Sequence, residues 1–490
     1  MGKLTGFKEI DRKNGEYKDA KERITDWTDI YIPQDAEGIK AQAARCMDCG
    51  IPFCSSNCPL GNIIPDFNDL VYNDQWKKAL EVLHLTNNFP EFTGKICPAL
   101  CEGGCVLGII DDPIAIEDIE LAIAERGWEE GWIIPQPPAI KTGKKVALIG
   151  SGPAGMAAAQ QLARVGHDVT LFERNDVIGG AMRYGIPDYK LPKFHIERRV
   201  EQMRAEGVVF KVSTNVGEDI SAKELQDNFD VIGLTGGSSE PRDLTVSGRD
   251  LKGIHFAMDF LPQSNQRNAG KTIDPSVSIN ADGKHVVVIG GGDTGSDCIG
   301  TSLRQGAIDI TQLELLPMPP KERDNSQPWP VFPRLYKTSS SHKEAKATLN
   351  KDIRMFSIGT KEFLGDDNGN LTGLKCIKLE WIPQEGGGFP KMLEVEGSEF
   401  VIEAELCLFA MGFLHPEHTG LLDSLGVDYD PRGNVATDSH YATSVANVFA
   451  AGDMRRGQSL VVHAIADGRK LAKEIDEFLM GETFLRSSLK

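Results

Sequence analysis

Seven of the ten cysteines of this chain lie in two short runs. The first run comprises Cys46, Cys49, Cys54 and Cys58, and the second comprises Cys97, Cys101 and Cys105. Thiolates at such short intervals bind zinc or iron–sulfur clusters, and a run that ends in Cys-Pro, as the first does, is typical of 4Fe–4S ligands. In a reducing compartment this pattern predicts a metal or redox centre and not a set of disulfides.

The number of cysteines leaves several kinds of centre open. Two 4Fe–4S clusters with four ligands each need one ligand more than the seven cysteines of the two runs. The alternatives are one cluster with spare thiols, two clusters with one non-cysteine ligand, zinc held by four thiolates, or structural thiols without a metal. For the scattered Cys298, Cys376 and Cys407 we expect the structural role, because free cysteine packs as a small hydrophobe.

A glycine-rich turn at 150–155 lies between a hydrophobic strand and a helix. Gly150 permits a tight turn, Gly152 lets the backbone approach a pyrophosphate, and Gly155 lets helix and strand pack closely. Glu173 ends the next strand 23 residues after Gly150, where its carboxylate can accept hydrogen bonds from a ribose. This context predicts a dinucleotide whose phosphates lie at the helix N-terminus.

A second turn of the same kind, at 290–295, again joins a strand to a helix. Glu314 ends the following strand, 24 residues after Gly290. Two such units imply two nucleotides, and the natural pair is a flavin and a nicotinamide, since hydride passes between them. Near the C-terminus, Gly452 and Asp453 follow a strand and precede a helix that begins near Ser459, whose N-terminus could stabilise negative charge on a reduced flavin.

The end of the second strand bears on the choice between NADH and NADPH. A carboxylate there accepts hydrogen bonds from the 2′-hydroxyl of NADH and repels the 2′-phosphate of NADPH. Glu314 occupies that position, and Gly295 is the residue type commoner in NAD sites, so we expect NADH to be preferred. NADPH stays open, because Lys321 or Arg323 on the following loop could reach a phosphate.

The elements that position these motifs repeat along the chain. Strand 144–150, helix 153–166 and strand 167–173 are followed by the same series within 285–314, which predicts a duplicated βαβ unit and parallel sheets.

Four further segments carry expectations of their own. Helical spacing of apolar residues predicts one amphipathic helix over 66–85. Residues 1–30 are charged and polar and are expected to form a loosely packed arm. The prolines of 131–143 predict a linker, and the proline- and serine-rich stretch 317–345 predicts an irregular surface loop of unassigned role.

Composition excludes several classes of function. The 490 residues carry a formal net charge of −18, which makes general binding to nucleic acid unfavourable. No stretch is apolar over the length that a bilayer span needs, and the N-terminal stretch has neither a signal-peptide core nor a myristoylation pattern. We therefore expect a cytoplasmic protein that binds neither nucleic acid nor membrane.

Six stretches of the chain resemble, in order, the small (β) subunit of glutamate synthase and, more distantly, the electron-input module of dihydropyrimidine dehydrogenase. They are CMDCGIPFC (46–54), NNFPEFTGKICPALCEGGC (87–105), GSGPAGMAAA (150–159), GGAMRYGIPDYKLP (179–192), VIGGGDTGSDC (288–298) and AAGDMRRGQSLVVHAIADGR (450–469). The resemblance implies a two-dinucleotide flavoprotein fold of the glutathione-reductase type behind a mainly helical iron–sulfur domain. The expected domains are 1–140 with the clusters, 141–250 and 421–490 for FAD, and 251–420, inserted between them, for NAD(P)H.

The resemblance also implies the cofactors and the partner. The subunit would carry FAD and two 4Fe–4S clusters, oxidise NADH or NADPH without an acid–base side chain, and pass electrons to a large (α) subunit. That partner, with FMN and a 3Fe–4S cluster, makes glutamate from glutamine and 2-oxoglutarate. The alternative is an electron-input subunit of another complex, a ferredoxin-linked transhydrogenase or a pyrimidine reductase.

Site residues follow from the motifs and from this resemblance. Residues expected to bind FAD are Gly150, Gly152, Pro153, Ala154, Gly155, Glu173, Gly180, Arg183, Gly452, Asp453, Ser459, Leu460 and Val461. Residues expected to bind NAD(P)H are Gly290, Gly292, Asp293, Thr294, Gly295 and Glu314. By position, one cluster would be held by Cys46, Cys49, Cys54 and Cys105, and the other by Cys58, Cys97, Cys101 and Glu120. In the dihydropyrimidine dehydrogenase module a glutamine stands where this chain has Glu120, and Glu117 is the reserve candidate.

We expect that this chain alone makes no glutamate. Glutamine hydrolysis in this class of enzyme needs an N-terminal cysteine, whereas this chain begins with Met1 and its first cysteine, Cys46, belongs to the cluster run. The cysteine segment and the two nucleotide units leave no length for a barrel of eight strand–helix repeats.

Overall fold

The computed structural model describes residues 2–384, 388 and 390–486, so that Met1, residues 385–387, residue 389 and residues 487–490 of the expected domain ranges lie outside the described residues. The N-terminal part is helical, with one antiparallel hairpin and 3-10 turns at Arg23–Thr25 and Val106–Ile109. Its helices are α1 (Gly6–Glu9), α2 (Ala36–Ala44), α3 (Phe53–Asn57), α4 (Ile64–Tyr72), α5 (Trp76–His84), α6 (Pro90–Ile96), α7 (Leu100–Gly103) and α8 (Ile116–Glu129), and the hairpin strands are β1 (Glu16–Tyr17) and β2 (Tyr31–Ile32).

Strands and helices alternate in the rest of the chain. The first series is β3 (Lys145–Ile149), α9 (Pro153–Arg164), β4 (Asp168–Phe172), α10 (Ala181–Tyr184), α11 (Phe194–Ala205), β5 (Val209–Lys211), α12 (Ala222–Asn228) and β6 (Val231–Leu234). The second is β7 (Ile254–Phe256), α13 (Ala257–Asn268), β8 (His285–Ile289), α14 (Asp293–Gln305), β9 (Asp309–Glu314), α15 (Ser340–Leu349), β10 (Arg354–Phe356), β11 (Ile358–Gly365), β12 (Leu371–Ile382), β13 (Lys391–Glu394), β14 (Phe400–Glu403) and β15 (Leu406–Phe409). The last elements are α16 (Leu421–Leu425), β16 (Val448–Ala450), α17 (Asp453–Arg456) and α18 (Val461–Met480).

Two parallel sheets of five strands form the two nucleotide units. The first has the order β16-β6-β3-β4-β5, and the second has the order β10-β9-β8-β15-β7. An antiparallel sheet of β11 to β14 is attached to the second unit. Because the chain leaves the first sheet after β6 and returns to it at β16, the second sheet is inserted within the first, as the order of the motifs predicts.

The N-terminal helices and the first sheet share one hydrophobic core. Phe67 and Phe92 of the helical part belong to the same buried cluster as Leu148 of β3 and Ile465 of α18. Strands β3 and β6 are buried on both faces, which explains why they read as continuous apolar runs. The cysteine-bearing helices are therefore packed directly onto the first sheet.

The single helix expected over 66–85 is wrong. The structure ends α4 at Tyr72 and starts α5 at Trp76, and Asp74 between them has a positive φ of 61°. The Trp76 indole N–H donates to the Asp74 carboxylate at 3.0 Å, which stabilises the turn. Both helices bury their apolar faces in the same core, so the helical spacing of apolar residues continues from α4 into α5. The sequence pattern therefore does not reveal the break between them.

The expectation of a loosely packed arm over 1–30 is also wrong for the described residues 2–30. The Arg23 guanidinium is buried and donates to the Glu344 carboxylate of α15 at 2.5 Å. The backbone N–H of Ile30 donates to the Tyr189 carbonyl at 3.1 Å. From the sequence alone, a charged side chain that pairs with a residue far along the chain cannot be distinguished from one that is exposed to solvent.

The two irregular segments differ in outcome. Residues 131–143 form neither helix nor strand, as expected of a linker. Residues 317–339 are likewise irregular, but the predicted loop ends too late, since Ser339 caps α15 and accepts a hydrogen bond from the His342 N–H at 3.3 Å. Among the described residues, no helix has the length and apolarity to cross a membrane.

Helix α18 packs so closely on α9 that Gly468→Ala is expected to destabilise the protein. Alanine normally stabilises a helix relative to glycine by about 0.5–1 kcal/mol. Here a Cβ atom would lie 2.1 Å from the Ala154 carbonyl oxygen, so the backbone must move. Such overpacking costs about 1–3 kcal/mol, and a lower midpoint of urea unfolding would measure it.

Gly127→Ala in α8 is the matched control. Its Cβ atom would lie 2.6 Å from Leu80 Cδ2, which is the end of a side chain and can rotate away. A midpoint that falls as far for Gly127→Ala as for Gly468→Ala would contradict the role given to the α9–α18 contact.

Candidate functional site

A cavity of about 1530 Å³ lies where the two nucleotide sheets and the cysteine segment meet. Of the residues expected to bind nucleotides or clusters, those that line it are Gly150, Gly152, Pro153, Ala154, Glu173, Gly180, Asp453, Ser459, Leu460, Val461, Gly292, Asp293, Thr294, Glu314 and Cys97. Both glycine turns and one cysteine of the second run therefore face a single space.

The first glycine turn has the shape that a pyrophosphate needs. Gly150 has a φ of 102°, and a Cβ atom there would lie 2.6 Å from the Thr235 carbonyl oxygen. A Cβ atom on Gly155 would lie 2.0 Å from the Gly150 carbonyl oxygen, so neither position accepts a side chain. A Cβ atom on Gly152 would meet only open space, at the N-terminus of α9. The turn thus leaves a free cradle for an anion.

Glu173 is held at the cavity by hydrogen bonds. It lies directly after β4 and is 5% exposed. Its carboxylate accepts from the Ser151 hydroxyl at 2.6 Å and from the Asn175 backbone N–H at 2.8 Å. This is the position in which a carboxylate meets the ribose of a dinucleotide.

The C-terminal motif forms another wall of the same cavity. Asp453 accepts a hydrogen bond from the Ser459 hydroxyl at 2.5 Å, and burial raises the pKa of its carboxyl. Leu460 is the N-cap of α18 and Val461 is its first residue, so the positive end of a 20-residue helix lies at the cavity. Gly452 lies behind, where a Cβ atom would come within 2.9 Å of the Ala154 side chain.

Among the residues expected to bind FAD, Arg183 has a side chain that pairs with a residue outside the cavity. It donates to the Glu197 carboxylate at 2.7 Å and is not among the residues that line the cavity. Gly180 does line the cavity, with a φ of 53° and a position for Cβ that is 2.9 Å from the Gly152 Cα atom. Other residues of the stretch 179–192 also line the cavity, among them Met182, Tyr184, Tyr189 and Lys190.

The second glycine turn repeats the geometry of the first. Gly290 has a φ of 124°, and a Cβ atom on Gly295 would lie 2.4 Å from the Gly290 carbonyl oxygen. Gly292 again faces open space. Glu314 lies against this turn, since a Cβ atom on Gly291 would come within 2.0 Å of its Oε2 atom.

The basic residues near Glu314 are not the expected ones. Arg323 donates to backbone carbonyls, among them Val331 at 2.6 Å and Gly103 at 3.2 Å, and neither Lys321 nor Arg323 lines the cavity. Lys337 and Arg354 do line it. Arg354 lies on β10, which pairs with the strand that carries Glu314, and that short strand was not predicted.

A hydrogen-bonded chain that the motifs do not reveal supports the second turn. Gln312 donates to the Gly290 carbonyl at 2.8 Å, and its amide oxygen lies 2.8 Å from His342 Nε2. Burial lowers the pKa of His342 to about 4, so the ring is neutral. The Ser339 hydroxyl lies 2.9 Å from His342 Nδ1 and 2.6 Å from the Ser296 hydroxyl. The pairing of β8 with β9 brings Gln312 to Gly290, and the packing of α14 on α15 brings Ser296 to Ser339.

Cys105 of the second run is an electrostatic neighbour of Cys46, Cys49 and Cys54 of the first run. Burial raises the pKa of the Cys46 thiol, and the neighbouring thiols of Cys105 and Cys49 raise it further, because a second thiolate beside either of them would be repelled. Burial likewise raises the pKa of Cys54 to about 12, with Cys105 and Cys46 again as neighbouring thiols. One set therefore joins both runs, at α3 and just after α7.

The second set surrounds a small cavity of about 20 Å³. Its lining includes Cys58, Cys97, Cys101 and Glu120, with Glu117 beside them. Burial raises the pKa of Glu120 to about 7, although hydrogen bonds from Thr93, Asn87 and Asn62 oppose the shift. The Asn62 amide donates to Glu120 Oε2 at 3.3 Å, while Oε1 accepts from Asn87 at 2.9 Å and from Thr93. Thiols and a buried carboxyl are a donor set that suits iron.

All ten cysteines are free thiols. In the part of the chain that the structure describes, no three histidine, cysteine or acidic side chains are arranged to hold a single metal ion.

Comparison with known families agrees with the two parts of the fold. Residues 23–132 match the family described as dihydropyrimidine dehydrogenase domain II, 4Fe–4S cluster, and residues 144–325 and 380–468 match that described as pyridine nucleotide-disulphide oxidoreductase. Mycobacterium tuberculosis FprA in complex with NADPH has a similar fold, with a TM-score of 0.55 and 18% identity over 69% of this chain and 85% of that one.

Whole-chain relatives are more similar. The chain is 50% identical to the glutamate synthase (NADPH) small chain of Mycobacterium tuberculosis, over 96% of this chain and 94% of that one. It is 45% identical to the Bacillus subtilis small chain, over 99% and 100%. It is 47% identical to the glutamate synthase (NADH) of Schizosaccharomyces pombe, over 99% of this chain but 23% of that longer one. The chain therefore belongs to the pyridine nucleotide-disulphide oxidoreductases and, among them, to the family of glutamate synthase small chains.

Proposed function

We propose that the chain is the electron-input subunit of a glutamate synthase. It oxidises NAD(P)H at FAD and delivers electrons, through two 4Fe–4S clusters, to a large subunit with FMN and a 3Fe–4S cluster. That subunit converts glutamine and 2-oxoglutarate to two glutamates. The observation that carries the proposal is the single cavity that both glycine turns and Cys97 line. Free cysteines suit a cytoplasmic location, which we also propose.

In this proposal the chain's own residues bind the two nucleotides and orient them. The cradles at Gly152 and Gly292 receive the two pyrophosphates, while Glu173 and Glu314 take the riboses. The N-terminus of α18 stabilises negative charge at the flavin. A bound FAD would supply two-electron chemistry with the nicotinamide and one-electron chemistry with the 4Fe–4S clusters. No acid–base side chain is needed for this transfer.

The two cysteine sets have an order in this proposal. Cys97 lines both the large cavity and the small one, and Val462 of α18 lines the small one. We therefore assign the set of Cys58, Cys97, Cys101 and Glu120 to the position next to the flavin. The set of Cys46, Cys49, Cys54 and Cys105 would then pass electrons onward.

A longer relative supports the proposal that a large subunit is the partner. In Schizosaccharomyces pombe the matching sequence is part of one chain named glutamate synthase (NADH). The match of residues 23–132 to a dihydropyrimidine dehydrogenase domain keeps a second candidate, an electron-input subunit of a pyrimidine reductase or a ferredoxin-linked transhydrogenase. Purification from the native cell would separate the two, since a glutamate synthase large subunit should accompany the chain.

Glu120→Ala is expected to remove one cluster and leave the other. The wild-type chain, purified without oxygen, should contain about eight iron atoms, four in each 4Fe–4S cluster. The variant should contain about four, because Glu120 is the proposed eighth ligand at the cavity of Cys58, Cys97 and Cys101. Iron analysis and the EPR spectrum of the reduced protein measure both numbers.

Glu120→Gln and Glu117→Ala are the controls. The first keeps an oxygen ligand and should retain more iron than Glu120→Ala, and the second removes a neighbouring carboxyl at the same cavity and should retain both clusters. About four iron atoms or stoichiometric zinc in the wild type would contradict the two-cluster proposal. Loss of both clusters or of neither in Glu120→Ala would contradict the ligand assignment.

NADH is expected to be the better coenzyme, with a higher kcat/KM than NADPH. Glu314→Gln removes the negative charge that opposes a 2′-phosphate, so it should improve the relative kcat/KM for NADPH by about tenfold. Dye reduction with each coenzyme gives the ratio of the two kcat/KM values.

Glu417→Gln is the control. Glu417 is a carboxyl elsewhere in the cavity that pairs with Arg174, so this variant should leave the ratio of the two kcat/KM values unchanged. A clear preference of the wild type for NADPH would overturn the argument, with Lys337 and Arg354 the basic groups at hand.

The isolated chain is expected to reduce a dye with NAD(P)H and to form no glutamate. The described residues build two open nucleotide sheets and a cysteine-bearing helical part, and among them no eight-stranded barrel is present that could hold FMN and 2-oxoglutarate. Glutamine and 2-oxoglutarate should change nothing until a large subunit is added. Glutamate formed by the purified chain alone would show that the chemistry has been placed in the wrong subunit.

A further inference from the structure

The edge strand β10 brings an arginine to the part of the cavity where Glu314 lies. Arg354 pairs with Gln312 across the parallel ladder, and Phe356 pairs with Glu314. Because side chains alternate along a strand, Arg354 and Glu314 project from the same face of the sheet. Both residues line the large cavity. The guanidinium of Arg354 is therefore on the side of the sheet where Glu314 is proposed to meet the ribose of the nicotinamide coenzyme.

A positive charge at this place would normally favour NADPH. The 2′-phosphate of that coenzyme replaces a ribose hydroxyl, and arginine binds phosphate oxygens through a pair of N–H donors. Such binding needs a guanidinium whose donor pair is free. The contacts of Arg354 decide whether it meets this requirement.

The guanidinium of Arg354 is already bound by the protein. Its Nε and Nη2 atoms each donate to the Asp352 carboxylate at 3.0 Å, in the paired geometry that a phosphate would use. Its Nη1 atom donates to the Lys337 carbonyl at 3.0 Å. The guanidinium carbon also lies 4.3 Å from the centroid of the Tyr336 ring, and the side chain is 10% exposed. The charge of Arg354 is thus neutralised, and the donor pair that would bind a phosphate is occupied.

Asp352 is itself held in place for this contact. Its carboxylate accepts from the backbone N–H of Arg354 at 3.1 Å and from the Tyr336 hydroxyl at 3.1 Å. Hydrogen bonds from the Arg354 guanidinium lower the pKa of the Asp352 carboxyl to about 2, so it is charged at neutral pH. Asp352 is not among the residues that line the cavity. It therefore acts on the coenzyme site through Arg354.

The other basic group at this end of the cavity is Lys337. Its ammonium group lies 4.6 Å from the centroid of the Phe332 ring. An ammonium is a point charge on a flexible stem, whereas a guanidinium offers a fixed pair of donors. Arg354 is therefore the group whose release would change phosphate binding most.

We propose that Asp352 determines coenzyme specificity: by pairing with Arg354 it withholds that guanidinium from the 2′-phosphate of NADPH, so that NADH is preferred. This inference rests on the function proposed above and adds a second cause of NADH preference. Glu314 repels the phosphate directly, whereas Asp352 removes a group that would attract it. Asp352 is thus a positioning residue, which acts from outside the cavity.

Asp352→Ala tests the proposal, because it removes the carboxylate that holds Arg354. The side chain of Asp352 is 53% exposed, so its truncation leaves no internal cavity. The ratio of kcat/KM for NADPH to kcat/KM for NADH should rise by about tenfold, the order expected for charged hydrogen bonds to a phosphate. Dye reduction by the holoprotein gives both values. The change should lie mainly in KM, because the released guanidinium binds the adenosine end and not the reacting ring.

A double variant shows whether Arg354 mediates the effect. Asp352→Ala combined with Arg354→Gln should return the ratio to the wild-type value, because no guanidinium is left to be released. Arg354→Gln alone should leave the ratio close to that of the wild type. Asp309→Ala is the matched control, since it removes another carboxylate of the same sheet, one that pairs with Lys351 outside the cavity. It should not change the ratio.

Binding of 2′,5′-ADP and of 5′-AMP, measured by calorimetry, makes the same comparison without hydride transfer. Asp352→Ala should strengthen binding of 2′,5′-ADP by about tenfold relative to 5′-AMP. A wild-type preference for NADPH, a ratio that Asp352→Ala leaves unchanged or lowers, or a ratio that stays raised in the double variant would each overturn the proposal. A wild-type chain that takes up no FAD, or reduces no dye with either coenzyme, would instead contradict the proposed function, so the two failures can be told apart.

Discussion

The contact between α18 and α9 is the constraint on which both parts of the candidate site depend. Gly468 lies so close to Ala154 that even one methyl group at this position would meet the backbone carbonyl oxygen. This contact fixes the N-terminus of α18, from which Val461 lines the large cavity and Val462 lines the small one. Because one helix end forms a wall of both spaces, its position determines where the nucleotide site and the cysteine site lie relative to each other.

Buried charge connects the inserted second sheet to the N-terminal helices. Glu344 on α15 accepts from Arg23 of the hairpin region and, at 2.9 Å, from Arg304 of α14, and all three side chains are nearly inaccessible. Removal of one partner from such a group leaves an uncompensated buried charge, which costs about 3–5 kcal/mol. The nicotinamide unit is therefore tied to the helical part as well as to the flavin unit. The irregular segment 317–339 makes a further connection, at α3 and α7, through Asn57 and Gly103.

Local rules predict the positions where the chain itself must adopt a particular shape. The three glycines of each turn behave as expected, since a tight turn, an open cradle and a close helix–strand contact each exclude a side chain at a defined spacing. Arg183 shows where such rules stop. Its place in the sequence predicts a position near the flavin, whereas in the structure its guanidinium donates to Glu197, 14 residues later on α11. Periodicity likewise misses the break at Asp74, because two helices that face one core share one pattern.

The sequence by itself determined which chemistry is present: the cysteine runs, the two glycine turns with their carboxylates, and the order that inserts one sheet into the other. These depend on residue type and short spacing, and such information is local. Only the tertiary structure decided which groups meet. Cys105 is a neighbour of Cys46 although they belong to different runs. Lys337 and Arg354 line the cavity, whereas Lys321 and Arg323 do not. The Trp329 ring packs against the Phe53 ring. Contacts between residues far apart in the chain follow from the packing of whole elements, which no local pattern records.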